Sequence, residues 1–178
     1  TGIMSADNFQ LKPNQLGNFG DGLSRPECVV CLADGTVVTS HSGGGVSVIN
    51  PDGRHRDILG QRDGMAPVAT NGFALTREGD FLLADLHGDG GGAWRLTQSG
   101  ELSPLLVEID GTALPPTNFV GVDHQQRVWI TVSTRHDPRA LAYRGDVADG
   151  FIILLDGKGA RIVADDVGYT NEAIVDPS

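Results

Sequence analysis

Glu27, Asn71, Asn118 and Asn171 each head a short apolar run. Their oxygens could act together if the fold made them converge. One carboxylate and several amide carbonyls form an all-oxygen set, suited to a hard cation such as Ca²⁺, which takes about 6 to 8 oxygens. Softer metals want imidazole or thiolate, which these positions lack. A lone Asn before a strand more often turns the chain by bonding nearby backbone. Four oxygen-bearing residues at corresponding points of a repeat favour a shared site. His87 and His41 are expected to end second strands before glycine-rich loops, where an imidazole near neutral pKa suits proton transfer. His136, with Asp137, falls in a segment that could form part of a lid, although most such insertions are solvated loops.

The elements that must position these residues are legible as a repeat. Residues 117–131 combine an Asn, a short apolar strand, a polar turn and a second β-rich strand ending in hydroxyl residues. Residues 70–85 and 27–40 repeat this, and residues 170–176 begin it again. The heads are 44, 47 and 53 residues apart. The excess in the third unit is assigned to an insertion over residues 135–149. Runs of Val, Ile, Leu, Phe and Thr alternate with Asp-Gly, Gly-Gly and Ser-Gly turns, and no window of a dozen residues has helical period. A period in the forties with four strands per unit is that of a β-propeller blade.

The expected fold is therefore all-β. Residues 1–24 form a lead-in with one short strand. Residues 25–178 form part of a propeller, with blades at about 25–65, 66–110 and 111–168 and the first strand of a fourth at 169–178. Three blades leave an open sheet edge and an uncovered apolar face, so completion to about six blades is expected. The source would be a second polypeptide, a cleaved C-terminal half that stays bound or another copy of the chain, with truncation as the alternative.

Composition narrows the function classes. The 178 residues suit one domain, and 13 basic against 23 acidic residues, a net charge of −10, oppose binding to a nucleic-acid backbone. No apolar run is long enough to span a bilayer, and the default compartment is the cytoplasm. Cys28 and Cys31 have C-x-x-C spacing, but on a strand they point to opposite faces, and buried structural cysteines are expected. The glycine-rich stretches near 43–45 and 88–92 lead into no helix and carry no Lys, which makes them turns rather than phosphate loops. Phe81, Trp94 and Trp129 are expected to pack blades.

Residues 25–27, 70–79, 86–88 and 117–123, with 163–166 running into Asn171, resemble the gluconolactonase / senescence marker protein / luciferin-regenerating enzyme family. The resemblance covers most of residues 25–178. It implies a six-bladed propeller with one divalent cation, most often Ca²⁺, at the channel mouth, hydrolysing a lactone or ester small-molecule substrate. It implies Glu27, Asn118 and Asn171 as metal-binding residues and Asn71 as substrate-binding, with His136 added from the lid segment. His87 and His41 stand as candidate catalytic bases because the family's Asp ligand falls in a later blade. Two further departures are Glu172 where the family has Gly, and residues 130–133, which lack an aromatic-Thr-Asp turn. The residue 118 stretch also resembles strictosidine synthase-like condensing enzymes, and a non-catalytic binding propeller is the third reading.

Overall fold

The structure, a computed structural model, describes residues 10–87 and 90–176. The repeats become blades. In the first, β1 (Val29–Cys31), β2 (Val37–His41), β3 (Gly45–Ile49) and β4 (His55–Leu59) pair antiparallel in chain order. The second contains β5 (Thr70–Leu75), β6 (Phe81–Asp85), β7 (Ala93–Leu96) and β8 (Leu102–Leu106) in the same order. A two-stranded hairpin, β9 (Glu108–Ile109) and β10 (Thr112–Ala113), precedes the third blade. That blade is built from β11 (Phe119–Val122), β12 (Val128–Val132), β13 (Gly150–Asp156) and β14 (Gly159–Val167).

The blades stack because alternate residues of a strand face opposite sides of its sheet. All of β6 is buried. Phe81 and Leu83 join Val38, Val46, Ile58 and Phe73 in the core between the first and second blades. Leu82 and Ala84 turn the other way, joining Val120, Ile130, Val132 and Ile153 between the second and third. Each such large side chain contributes about 1.5–3 kcal/mol relative to exposure. The inner strands of these two blades meet at Gly72, where a Cβ would lie 2.5 Å from Phe119 Cδ2 and 2.9 Å from its Cα. Only glycine permits that approach without a shift in backbone.

Three expectations are altered. Residues 170–176 carry no strand; a strand needs a ladder partner, and the described residues beyond β14 supply none. The lead-in has no strand among residues 10–24, only a 3-10 turn at Pro13–Gln15, and residues 1–9 lie outside the described part. Cys31 is exposed and Cys28 half-buried, both as free thiols, because the alternate face of β1 has no blade packed on it and leaves Val29 exposed as well. Among the described residues no helix is long and apolar enough to cross a membrane.

Candidate functional site at the channel mouth

The start of each inner strand and the end of the next strand lie at the same end of the sheet, since Phe119 pairs with Thr131, Thr70 with Asp85 and Val29 with Thr39. Glu27, Asn71 and Asn118 sit at these starts, and Asn171 follows the third blade at the same end. Thr131 Oγ1 donates to the Asn171 carbonyl at 2.7 Å, and Ser133 Oγ donates to the Thr170 carbonyl at 2.7 Å.

A hydrogen-bonded arc connects them. Arg25 Nη2 lies 3.6 Å from Glu27 Oε2 and donates to Asn71 Oδ1 at 2.8 Å, while Nη1 donates to the Thr70 carbonyl at 3.2 Å. Asn71 Nδ2 donates to the Asn118 carbonyl at 2.9 Å and to Asn118 Oδ1 at 3.1 Å. Asn118 Nδ2 donates to Ser133 Oγ at 3.0 Å. Asn71 and Asn118 are buried, whereas Glu27 and Asn171 are exposed at the two ends. Arg25 has φ of 56°, a left-handed conformation that costs a non-glycine residue about 1 kcal/mol or more. Its carbonyl accepts from the Glu27 amide at 2.9 Å and from Ser40 Oγ at 3.2 Å, which holds the bend.

The oxygen donors of this arc are of the type a hard cation takes. Glu27 offers a carboxylate engaged only by a long, exposed contact, Asn171 offers an exposed amide, and the Asn118 oxygen accepts one bond where two lone pairs are present. No cluster of three or more His, Cys, Asp or Glu occurs among the described residues, so the set is amide-rich with a single carboxylate.

The three candidate histidines are separated. His41 ends β2, but its Nδ1 accepts from the Gly43 amide at 2.8 Å and its Nε2 lies 3.6 Å from Asp57 Oδ2 on the outer strand β4. His87 follows β6 and donates its amide to Asp85 Oδ1 at 3.0 Å. It lines a cavity of about 210 Å³ with Arg62, Met65 and Ala66. His136 pairs with Asp149, not with its neighbour Asp137, through Nδ1 and Oδ2 at 2.8 Å. Residues 133–149 form the insertion between β12 and β13.

Several residues here escaped sequence reasoning. Arg25, Thr131 and Ser133 join the landmark residues into an arc; the first two were visible only as parts of motifs, and Ser133 as the hydroxyl ending a strand. Asp149 lies 13 residues from His136, with no spacing rule to connect them. The Asp85 carboxylate is fully buried and bonds Arg62 Nη1 at 2.7 Å, with the guanidinium over the Trp94 ring. Nothing in the sequence marks Arg62 as its partner, because a loop brings it there.

The fold recurs among solved proteins. A gluconolactonase from Xanthomonas campestris matches over 75% of this chain and 44% of its own, with 21% identity and a TM-score of 0.56. A structural-genomics protein assigned as a gluconolactonase matches 84% of this chain and 52% of its own, with 19% identity and a TM-score of 0.60. The fold is that of part of a β-propeller. The virginiamycin B lyase of Staphylococcus aureus shares it at 14% identity and a TM-score of 0.51, over 76% of this chain and 39% of its own. The chain thus spans about half or less of each propeller. No family model matches it, and no curated protein matches its sequence.

Proposed function

We propose that the protein is a lactone hydrolase whose site lies at the channel mouth, where a divalent cation, most simply Ca²⁺, is held by Glu27, Asn118 and Asn171. The observation that carries this reading is the arc itself. One oxygen-bearing residue from each repeat reaches the same mouth, and the two exposed ends, Glu27 and Asn171, keep acceptors available. When bound, the cation supplies Lewis-acid polarisation of an ester carbonyl and stabilisation of its oxyanion.

The chain's own residues orient the site. Asn71 fixes Asn118 by two bonds, Ser133 holds the Asn118 amide, and Thr131 holds Asn171. Asn71, buried with its amide bonded to Arg25 and Asn118, positions the arc and is not placed to face a substrate. Further polypeptide closes the ring against the open face of the third blade, where Phe119, Trp129 and Ile174 border a cleft of about 320 Å³. In the complete protein, hydrolysis of five- and six-membered aldonolactones should be measurable by proton release. It should be lost on chelation and restored by Ca²⁺. Absence of turnover on every lactone tested contradicts the hydrolase reading, and turnover that survives chelation contradicts the cation.

A further inference from the structure

We infer that His136, oriented by Asp149, is the proton-transfer residue of the mouth, so that the insertion in the third blade supplies the base that the arc lacks. This rests on the hydrolase reading above. The Asp149 carboxylate Oδ2 accepts from the Arg135 amide at 2.9 Å and faces His136 Nδ1 at 2.8 Å. Thr134 Oγ1 accepts from the His136 amide at 3.0 Å and lies 3.2 Å from Nδ1. A carboxylate can only accept, so the neutral imidazole carries its proton on Nδ1 and leaves Nε2 as the basic nitrogen. A base held by a third group is the arrangement that activates a nucleophile.

Position favours the same role. His136 lies three residues beyond Ser133, the hydroxyl that holds Asn118, and its side chain is 40% exposed. The insertion then crosses toward Asn171, with Arg139 over the Tyr169 ring and Tyr143 edge-on to it at 5.0 Å. Tyr169 is two residues before Asn171. It thereby spans the gap between the third blade and the start of the next repeat.

Polar atoms remain unspent along this wall. Asp149 Oδ1 and Arg139 Nε are buried without a hydrogen-bond partner, and groups of this kind call for an explanation. Burial alone would raise the Asp149 carboxyl, but bonds from Thr134, His136 and the Arg135 amide hold it below its ordinary value. It stays a carboxylate that fixes the ring.

The step balances within the hydrolysis. The water oxygen bonds to the lactone carbonyl carbon while one water proton passes to His136 Nε2. The ring C–O bond then breaks, its electron pair remains on the departing alkoxide oxygen, and that oxygen takes the proton from Nε2. The product is the hydroxy acid, and Asp149 keeps its bond to Nδ1–H throughout.

Kinetics and nitrogen-15 NMR of the complete protein test this together. His136→Gln should lower kcat by about 100-fold or more with KM within about threefold. Asp149→Asn should lower kcat less, and the wild-type ring should show a proton on Nδ1 and none on Nε2. An active wild type with kcat retained in His136→Gln overturns the inference and leaves the hydrolase reading standing. An inactive wild type overturns that reading and the inference with it. If either variant fails to fold, the wild-type spectrum decides, because a ring protonated at Nε2 contradicts the proposed base.

Discussion

The two ends of the blades are held by different kinds of bond. At the turn end, several carboxylates bond residues two to five positions away. Asp34 accepts from the Thr36 amide, Asp52 from Arg54, Asp123 from Arg127 and Asp156 from Arg161. At the mouth end the separations are 46 for Arg25 with Asn71, 47 for Asn71 with Asn118, 40 for Thr131 with Asn171 and 37 for Ser133 with Thr170. The longest separations are close to the repeat period itself. Those turn-end bonds each shape one hairpin, whereas these mouth-end bonds tie one blade to the next; the Arg56–Gln98 bond of 3.4 Å is a turn-end exception. The landmark side chains of successive repeats meet one another at the mouth, which is why chemistry is expected there.

Four substitutions bear on this contrast, from the largest expected effect to the smallest. Arg62→Met leaves the buried Asp85 carboxylate at the mouth end without its guanidinium, and denaturant unfolding should show a loss of about 3–5 kcal/mol. A loss below about 1 kcal/mol would mean that Asp85 is stabilised by its backbone donors alone.

Asp123→Asn tests the turn end at its most buried point. The carboxylate accepts from the Gln125 and Arg127 amides, Arg127 Nε and Trp129 Nε1. About 2–3 kcal/mol should be lost, since neutral Asn weakens charge-assisted bonds. Burial would raise this carboxyl, but bonds from Trp129 and Arg127 hold it far below its ordinary value. With the folded pKa depressed below an unfolded value of about 3.9, its contribution is complete above about pH 5 and falls away as pH drops further. Stability measured from pH 7 to pH 3 should therefore decline less steeply in Asp123→Asn. An unchanged acid limb would contradict the assigned network.

Asn118→Ala removes the centre of the arc, and a loss of about 1–2 kcal/mol is expected, as Ser133 Oγ loses its donor and Asn71 one of its acceptors. Combined with Ser133→Ala, the losses should be less than additive. Strict additivity would mean that the arc is no coupled unit. Asp52→Asn, at an exposed turn where the bonded partner is Arg54, should leave the melting temperature unchanged.

The same contrast explains what the sequence made legible. Short-range chemistry is written in spacing, so Asp-Gly turns, strand runs and the four-stranded blade could be read before any coordinates. The four landmark residues were legible because the repeat places them in register, and the structure brings Glu27, Asn71, Asn118 and Asn171 to one mouth. The insertion was legible as excess length, but not its internal pairing, since Asp149 lies across a loop from His136. Likewise Arg62 reaches Asp85 from the connection between two blades. Cys31 and residues 170–176 departed from expectation for a shared reason, because alternation along a strand predicts burial only where a neighbouring blade covers it.

The account stands most directly on Glu27, an exposed carboxylate at one end of the arc. Comparing kcat/KM for lactone hydrolysis in Glu27→Gln and Asp52→Asn of the complete protein sets the mouth end against the turn end with matched, isosteric changes. The account predicts a fall of at least about 100-fold for Glu27→Gln, with an unaltered melting temperature, and no change for Asp52→Asn. Equal activity in the two variants would contradict a functional site at the mouth.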